Sequence, residues 1–513
     1  MGKIVNTIVN RFDGGMTNAI RDSISSFQED TIFAKPYSRV IKHFDILSAL
    51  GKAIPNLDHI TDTTDGSGGG TIALDAMSMF LSYGTSQSAT AQYALGTNGD
   101  TTPLIYKRAS IPSGTWQAIT ASANALTGKK DKLFIEYKGI LYGARTNAIW
   151  NFNVGTPAAI TDAQALTYTD IVQGLVHSKD DILYIPYDNK IASKNGAAAF
   201  NVTALTLPSN CVISSICEYG NYLAIATKPL SIGGRSLVYL WDRDSSLTTT
   251  TEKIDWGTEN LEFIEEIEGD LIGVSVTGAT SVVVYPKLLF KKFNGGYGIK
   301  QFRELRLTNS TVLFGPNKHK QNNRFYFSML ATVESTLHAA IWAIGKNANG
   351  EFSVYMDRLW DDDVTFTISD TPLGFQLLGD YMTIAYKIAG TYTLQTTSNQ
   401  DYTVNATIES LIFTSGRPDL KKDLLGVTVH FEPLPSGSSI AMGYKIDNES
   451  SFTNIFTFST ANAISHSAVN SLPKDYKEIQ FQIISLGSGV QNGSGVITGY
   501  SFKQDITGKS LYD

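Results

Sequence analysis

The chain has 513 residues, more than one ordinary core accommodates, and with 42% apolar and 17% charged residues it has the hydrophobic content of a folded protein. A net charge of −7 and a pI near 5.6 exclude the general cationic attraction on which nucleic-acid binders rely. No run of about 18 apolar residues occurs, so no membrane-spanning helix is predicted, and Met1-Gly2-Lys3-Ile4-Val5-Asn6 leads into no signal-peptide core.

Residues 1–60 read as an extended arm rich in apolar side chains, among them Ile4, Val5, Ile8, Val9, Phe12, Ile41, Phe44 and Ile46. Apolar surface left in water costs roughly 25 cal/mol per Å². The arm is therefore expected to lie across the body that follows, to complete one of its sheets, and to reach a neighbouring subunit, with Gly14-Gly15 supplying a sharp bend. Gly66 and Gly68-Gly69-Gly70 mark a flexible join.

From Met79–Tyr83 onward one phrase recurs: an apolar strand, one or two Gly, Asp or Asn residues, and a second apolar strand. It is found around Lys138-Gly139, Asp180-Asp181, Gly220-Asn221, Gly269-Asp270, Asn322-Asn323 and Gly379-Asp380. These residue types tolerate the positive φ of tight hairpin turns. The turns repeat at steps of 40 to 57 residues, close to the length of a propeller blade. Third strands are predicted at Ala148–Phe152, Leu237–Trp241, Val282–Tyr285, Ala340–Trp342 and Thr391–Leu394. The fold class is all-β: a six- or seven-bladed β-propeller over 61–402, the competing arrangement being unrelated hairpins in two sandwiches. Residues 403–513 read as a C-terminal β-sandwich, with strands at Val427–Phe431, Ile440–Ile446, Ile479–Ile483 and Val496–Thr498.

The two cysteines, Cys211 and Cys217, fall on one strand; a six-residue offset puts them on the same face about 20 Å apart, too far for a disulfide. They are expected to be buried and reduced, consistent with synthesis in the cytoplasm. Motifs with chemistry are sparse. Gly508-Lys509-Ser510 ends like a phosphate-binding loop, but Lys503 occupies the position of its first glycine. The seven histidines have no metal-ligand spacing, and Asp361-Asp362-Asp363 lacks the pattern of a calcium loop, so no cofactor and no metal are expected. Asp242, Asp244, Glu265 and Asp270 are carboxylates of the type a glycosidase uses, but nothing in their spacing selects a pair, and the chain is expected not to be an enzyme. Lys318, His319, Lys320 and Arg324 form the densest basic stretch, either an exposed hairpin turn or a contact for a partner or DNA.

The phrases Phe12-Asp13-Gly14-Gly15-Met16, Ile20-Arg21-Asp22, Phe33-Ala34-Lys35 and His43-Phe44-Asp45-Ile46 resemble the opening of bacteriophage tail nozzle and hub proteins, in which a Gly-Gly phrase and a nearby Arg precede a β-propeller. Gly416-Arg417-Pro418, Lys421-Lys422 and the Leu434-Pro435-Ser436-Gly437 turn are similar to phage structural proteins more loosely. The resemblance implies a virion protein that forms a ring of six copies beside other tail or adaptor proteins. Genomic DNA would be held in and ejected through its channel without sequence-specific binding, and Phe12, Gly14, Gly15, Arg21 and Phe44 would serve assembly. The alternative of a different class is a carbohydrate-binding or carbohydrate-cleaving propeller, such as an adhesin or receptor-binding protein.

Overall fold

The computed structural model describes residues 3–17, 26–28, 31–34, 37–42, 44–56, 59–61, 79–83, 91–98, 102–108, 116–118, 130–145, 147–153, 160–231, 233–246, 250, 252–277, 286–296, 298–333, 336–360, 365–378, 381–389, 391–397, 405–415, 418–447, 449–487 and 493–506. Its regular structure is all β, and no helix is long and apolar enough to cross a membrane. The chain divides into two compact units: residues 60–339 with 365–397, and residues 1–59 with 340–364 and 398–513.

The first of these is a β-propeller. Tight turns generate its hairpins: Lys138 (φ 54°) with Gly139 (79°), Glu268 (49°) with Gly269 (84°), and Asn322 (52°) with Asn323 (55°) all adopt the left-handed region that such turns demand. The turn expected at Gly269-Asp270 lies one residue earlier, so Asp270 opens the following strand. Four-stranded antiparallel sheets follow in chain order, with first strands Met79–Tyr83, Lys130–Tyr137, Leu175–His177 and Cys211–Tyr219. The sheet that begins at Asn260–Ile267 is completed by the early part of the long strand Ile299–Gln321, whose later part forms a new hairpin with Arg324–Val333. Thr371–Leu378, Tyr381–Ile388 and Thr391–Thr397 form the last sheet, with His59–Thr61 as its outer strand. Ile60 and Thr61, which belong to this unit, thus contribute the outer strand of its last sheet. Val282–Tyr285 and the turn at 379–380 fall outside the described residues.

Adjacent sheets are held by interdigitated apolar side chains and by polar clamps on or just before their first strands. The Gln173 amide donates to Phe134 O (3.1 Å) and accepts from Phe134 N (3.4 Å); Asn317 brackets Phe375 in the same way (2.7 and 3.2 Å). Ser215 Oγ sits between the N and O of Ile264 at 3.3 and 3.5 Å. The first sheet closes on the last through polar groups: Gln92 donates to Gln376 (2.8 Å), and buried Arg108, stacked 4.7 Å over Trp116, donates to Thr383 Oγ1 (2.8 Å). Glycines admit the large rings of the core: Gly143 lies under Trp150 and Gly273 under Trp256.

Cys211 and Cys217 are both free and buried, but the expected shared face is wrong. The pairing with Tyr222–Pro229 shifts between Ile213 and Ser215, which leaves Ser214 as an extra residue and inverts the alternation beyond it. Cys211 packs with Tyr184 and Trp241, whereas Cys217 packs with Trp256 and Leu261 in the next core. Burial raises the pKa of both thiols, that of Cys217 far more than that of Cys211, so they are poor nucleophiles.

The second unit joins the arm to the C-terminal strands. Lys3–Val9 runs antiparallel to Ile497–Ile506 from Lys3↔Ile506 to Val9↔Tyr500, within a six-stranded sheet that also contains Lys422–Phe431 and Ser465–Ala468. Its other strands include Phe352–Leu359, Val40–Lys42, Ala406–Glu409, Ile479–Leu486, Ser439–Ile446 and Thr453–Phe458. Phe481 and Phe502, with ring centroids 4.8 Å apart, join the two layers, and Phe413 lies 5.0 Å from Phe502.

Candidate functional site in the propeller axis

The side chains gathered at the propeller axis are set by irregularities in the first strands. Register shifts fall between Lys130 and Phe134, Ile213 and Ser215, Leu261 and Phe263, Phe314 and Lys318, and Pro372 and Phe375. The residues inside those breaks include Lys132, Ser214, Glu262, Gly315, Pro316 and Leu373, all of which line a single cavity of about 280 Å³. A bulge turns a side chain away from the face that strict alternation would give it. Five first strands interrupted at one level therefore build a lined pocket where regular strands would only pack.

Two ion pairs stand in its wall. Lys132 Nζ lies 3.1 Å from Asp170 Oδ2 and 3.3 Å from Oδ1, and Lys228 is paired with Glu262. Asp170 is fixed from its own backbone: its N–H donates to Asp188 Oδ1 (2.9 Å) and its Oδ1 accepts from Ile171 N (3.0 Å). Between the charged groups lie Val172, Val212, Ile213, Phe263, Phe314 and Pro372, with Phe263 and Phe314 edge-to-face at 5.6 Å. Ser214 Oγ, in the same wall, is buried and has no hydrogen-bond partner among the described residues. The cavity thus offers two cations, two carboxylates, an unused hydroxyl and an aromatic surface. Such a set suits a small ligand with hydroxyl groups on an apolar ring.

The carboxylates named from sequence are elsewhere. Glu265 is paired with Lys318 at 2.7 Å, Asp270 is buried, and Asp242 and Asp244 cap the turn after Ser236–Trp241. Lys318 is held further by the carbonyls of Ile216 (2.8 Å) and Ile264, and Lys320 pairs with Glu266 at 2.7 Å. Arg324 is half-buried at the start of its strand. Glutamates some 54 positions earlier in the chain thus neutralise the two lysines of the basic stretch. In the arm, Phe12, Gly14, Gly15 and Phe44 are all buried within the second unit, and Arg21 lies outside the described residues. No group of three or more metal-ligating side chains occurs among the described residues.

His319 carries a pH prediction. Burial lowers its pKa to about 4, from 6.5, against a smaller opposing effect of Gln321. The folded pKa lies below the unfolded one, so the stabilisation is complete above pH 6.5 and lost as pH falls through about 4. Thermal melting should show a flat plateau above neutrality and a fall over that window, on the order of 3 kcal/mol from this residue. His319→Gln should flatten that fall; an unchanged pH profile in the variant would place the acid sensitivity elsewhere.

No family model and no curated protein matches the chain. Among solved structures, it resembles an exo-β-1,3-galactanase from Phanerochaete chrysosporium crystallised with galactose, at 10% identity and a TM-score of 0.30, over 87% of this chain and all of that one. It also resembles the N-terminal domain of Nup159, at 9% identity and a TM-score of 0.39, over 67% of this chain and 97% of that one. A further structure is described as a glycoside hydrolase, at 10% identity and a TM-score of 0.28, over 84% and 98% of the two chains. With glycoside hydrolases among its structural neighbours, the expectation that the chain is not an enzyme is withdrawn. At these values the likeness transfers no activity and no residue role.

Proposed function

We propose that the chain is a seven-bladed propeller, with a β-sandwich built from its arm and C-terminal strands, and that it engages carbohydrate in the axial cavity. The observation that carries this reading is the set of five interrupted first strands whose extra residues face one pocket. Phe263 and Phe314 offer an apolar surface to the C–H face of a sugar ring. Lys132, Asp170, Lys228, Glu262 and the free hydroxyl of Ser214 supply donors and acceptors for its hydroxyls. The volume, about 280 Å³, suits one terminal sugar of a chain better than a long segment.

A glycan array probed with the full chain tests this. Wild type should bind a restricted set of glycans, and Glu262→Gln, which removes the anionic partner of Lys228, should weaken that binding about tenfold, or ~1.4 kcal/mol. Binding unaffected by Glu262→Gln and by Ser214→Phe, which fills the pocket, would exclude the cavity. Release of reducing ends from a bound glycan, abolished by Asp170→Asn, would assign hydrolysis to the same place.

A second reading rests on the arm. The phrase Phe12–Met16, which carries the resemblance to phage tail nozzle proteins, is buried almost throughout and is bonded to other segments of its unit. The likeness is thus one of residues that hold the arm in its own unit, and the reading of a virion ring component, assembled with other tail proteins around the DNA path, rests on that resemblance alone. Negative-stain images of the chain, alone and with candidate partner rings, should show closed rings on this reading. Monomers under every condition would remove it.

A further inference from the structure

We propose that the open strand edges at residues 450–473 form a two-fold contact between two copies of this chain. From Ser450 to Pro473 the sequence holds no Asp, Glu, Lys or Arg. Every residue of this stretch up to Leu472 is exposed or only half-buried. Ile464 and Val469 are 62% and 69% exposed. Among the described residues, the strand Ser465–Ala468 pairs on one side, with Val427–His430, and ends its sheet; Thr453–Phe458 likewise ends its own. His466 lies flat against Phe458 (4.3 Å between centroids) and edge-on to Phe456 (4.6 Å), so aromatic rings stiffen the corner where the two edges meet.

Exposed edges are normally guarded by lysine, proline or an inward-pointing charge, because their free N–H and C=O groups template pairing with another strand. Neither edge strand has such a guard. Charge selects the occupant. The chain carries a net charge of −7, so two copies meeting elsewhere tend to oppose like charge, whereas this edge meets a copy of itself without repulsion. Antiparallel pairing of Ser465–Ala468 with the same strand of a second copy, centred between His466 and Ser467, sets Ile464 of each copy against Val469 of the other. This buries the two most exposed aliphatic side chains of the segment. The inference is independent of what the axial cavity binds.

Sedimentation velocity on the full chain, over a concentration series at low and high salt, tests it. The expected result is a reversible species of twice 55.8 kDa whose stability does not fall with salt, since no charges hold it. The double variant Ile464→Lys/Val469→Lys places four cations at the contact and should weaken the dimer on the order of 100-fold. Both positions are exposed, so its circular dichroism should match wild type. A monomer at every concentration overturns the proposal, as does a dimer that survives the double substitution. A monomeric wild type that binds a glycan through this edge would replace it with a ligand surface.

Discussion

Gly15→Ala is expected to release the arm from its unit. Gly15 has φ +72°, and a Cβ placed there would lie 2.8 Å from both the N and the O of Val354 and 3.1 Å from Ser353 Cβ. The obstructing atoms are backbone, which cannot rotate aside as a side chain can. An L-residue in the left-handed region alone costs roughly 1–2 kcal/mol, and the collision adds more, for a total of about 4 kcal/mol or greater. The neighbouring contacts fall with it: Asp13 O accepts from Ser353 Oγ and from Asn347 Nδ2 (3.4 Å), while Arg11 forks onto the buried Asp13 carboxylate at 3.0 and 2.7 Å. Limited proteolysis should cut the variant within residues 10–50 far faster than wild type. Equal cleavage rates would show that the bend is not needed to dock the arm.

Gly273→Ala and Gly143→Ala should each lower the melting temperature of the propeller by about 5–10 °C, corresponding to roughly 3 kcal/mol. A Cβ at Gly273 would lie 2.3 Å from Cζ2 of Trp256, and one at Gly143 would lie 2.1 Å from Cζ2 of Trp150. Both indoles are fully buried, so neither ring can swing into solvent to make room. Trp256 is further fixed by Leu261, whose Cδ1 is 3.0 Å from the same Cβ position. Gly296→Ala is the matched control: nothing lies within 4 Å of its Cβ, and its melting temperature should be that of wild type. A drop as large in the control as in the two core variants would trace the effect to general loss of glycine and not to these rings.

The hairpins were legible because turn chemistry is local. Gly139, Gly269 and Asn323 announce positive φ by residue type alone, and the apolar runs on either side supply the strands. The axial cavity was not legible for the opposite reason. Glu262 and Ser214 sit in uninterrupted strand sequence, and only the partner strand reveals that one residue has been added. The same hidden residue reversed the placement of Cys211 against Cys217. Lys318 and Lys320 read as a basic surface because their partners, Glu265 and Glu266, stand more than fifty positions away. The composition of the second unit also escaped the sequence, since residues 340–364 continue the strand periodicity of the repeat while belonging with the arm and the tail.

The antiparallel pairing of Lys3–Val9 with Ile497–Ile506 sets an order of events during synthesis. A ribosome adding about 5–20 residues per second needs on the order of half a minute to a minute and a half between the two strands. Throughout that interval Lys3–Val9, whose Val5 and Val9 are buried in the finished unit, can pair on one edge with Thr31–Phe33 but lacks the strand of its other edge, while the 79–333 hairpins close locally as they emerge. The nascent arm is therefore the part of this chain most in need of a chaperone.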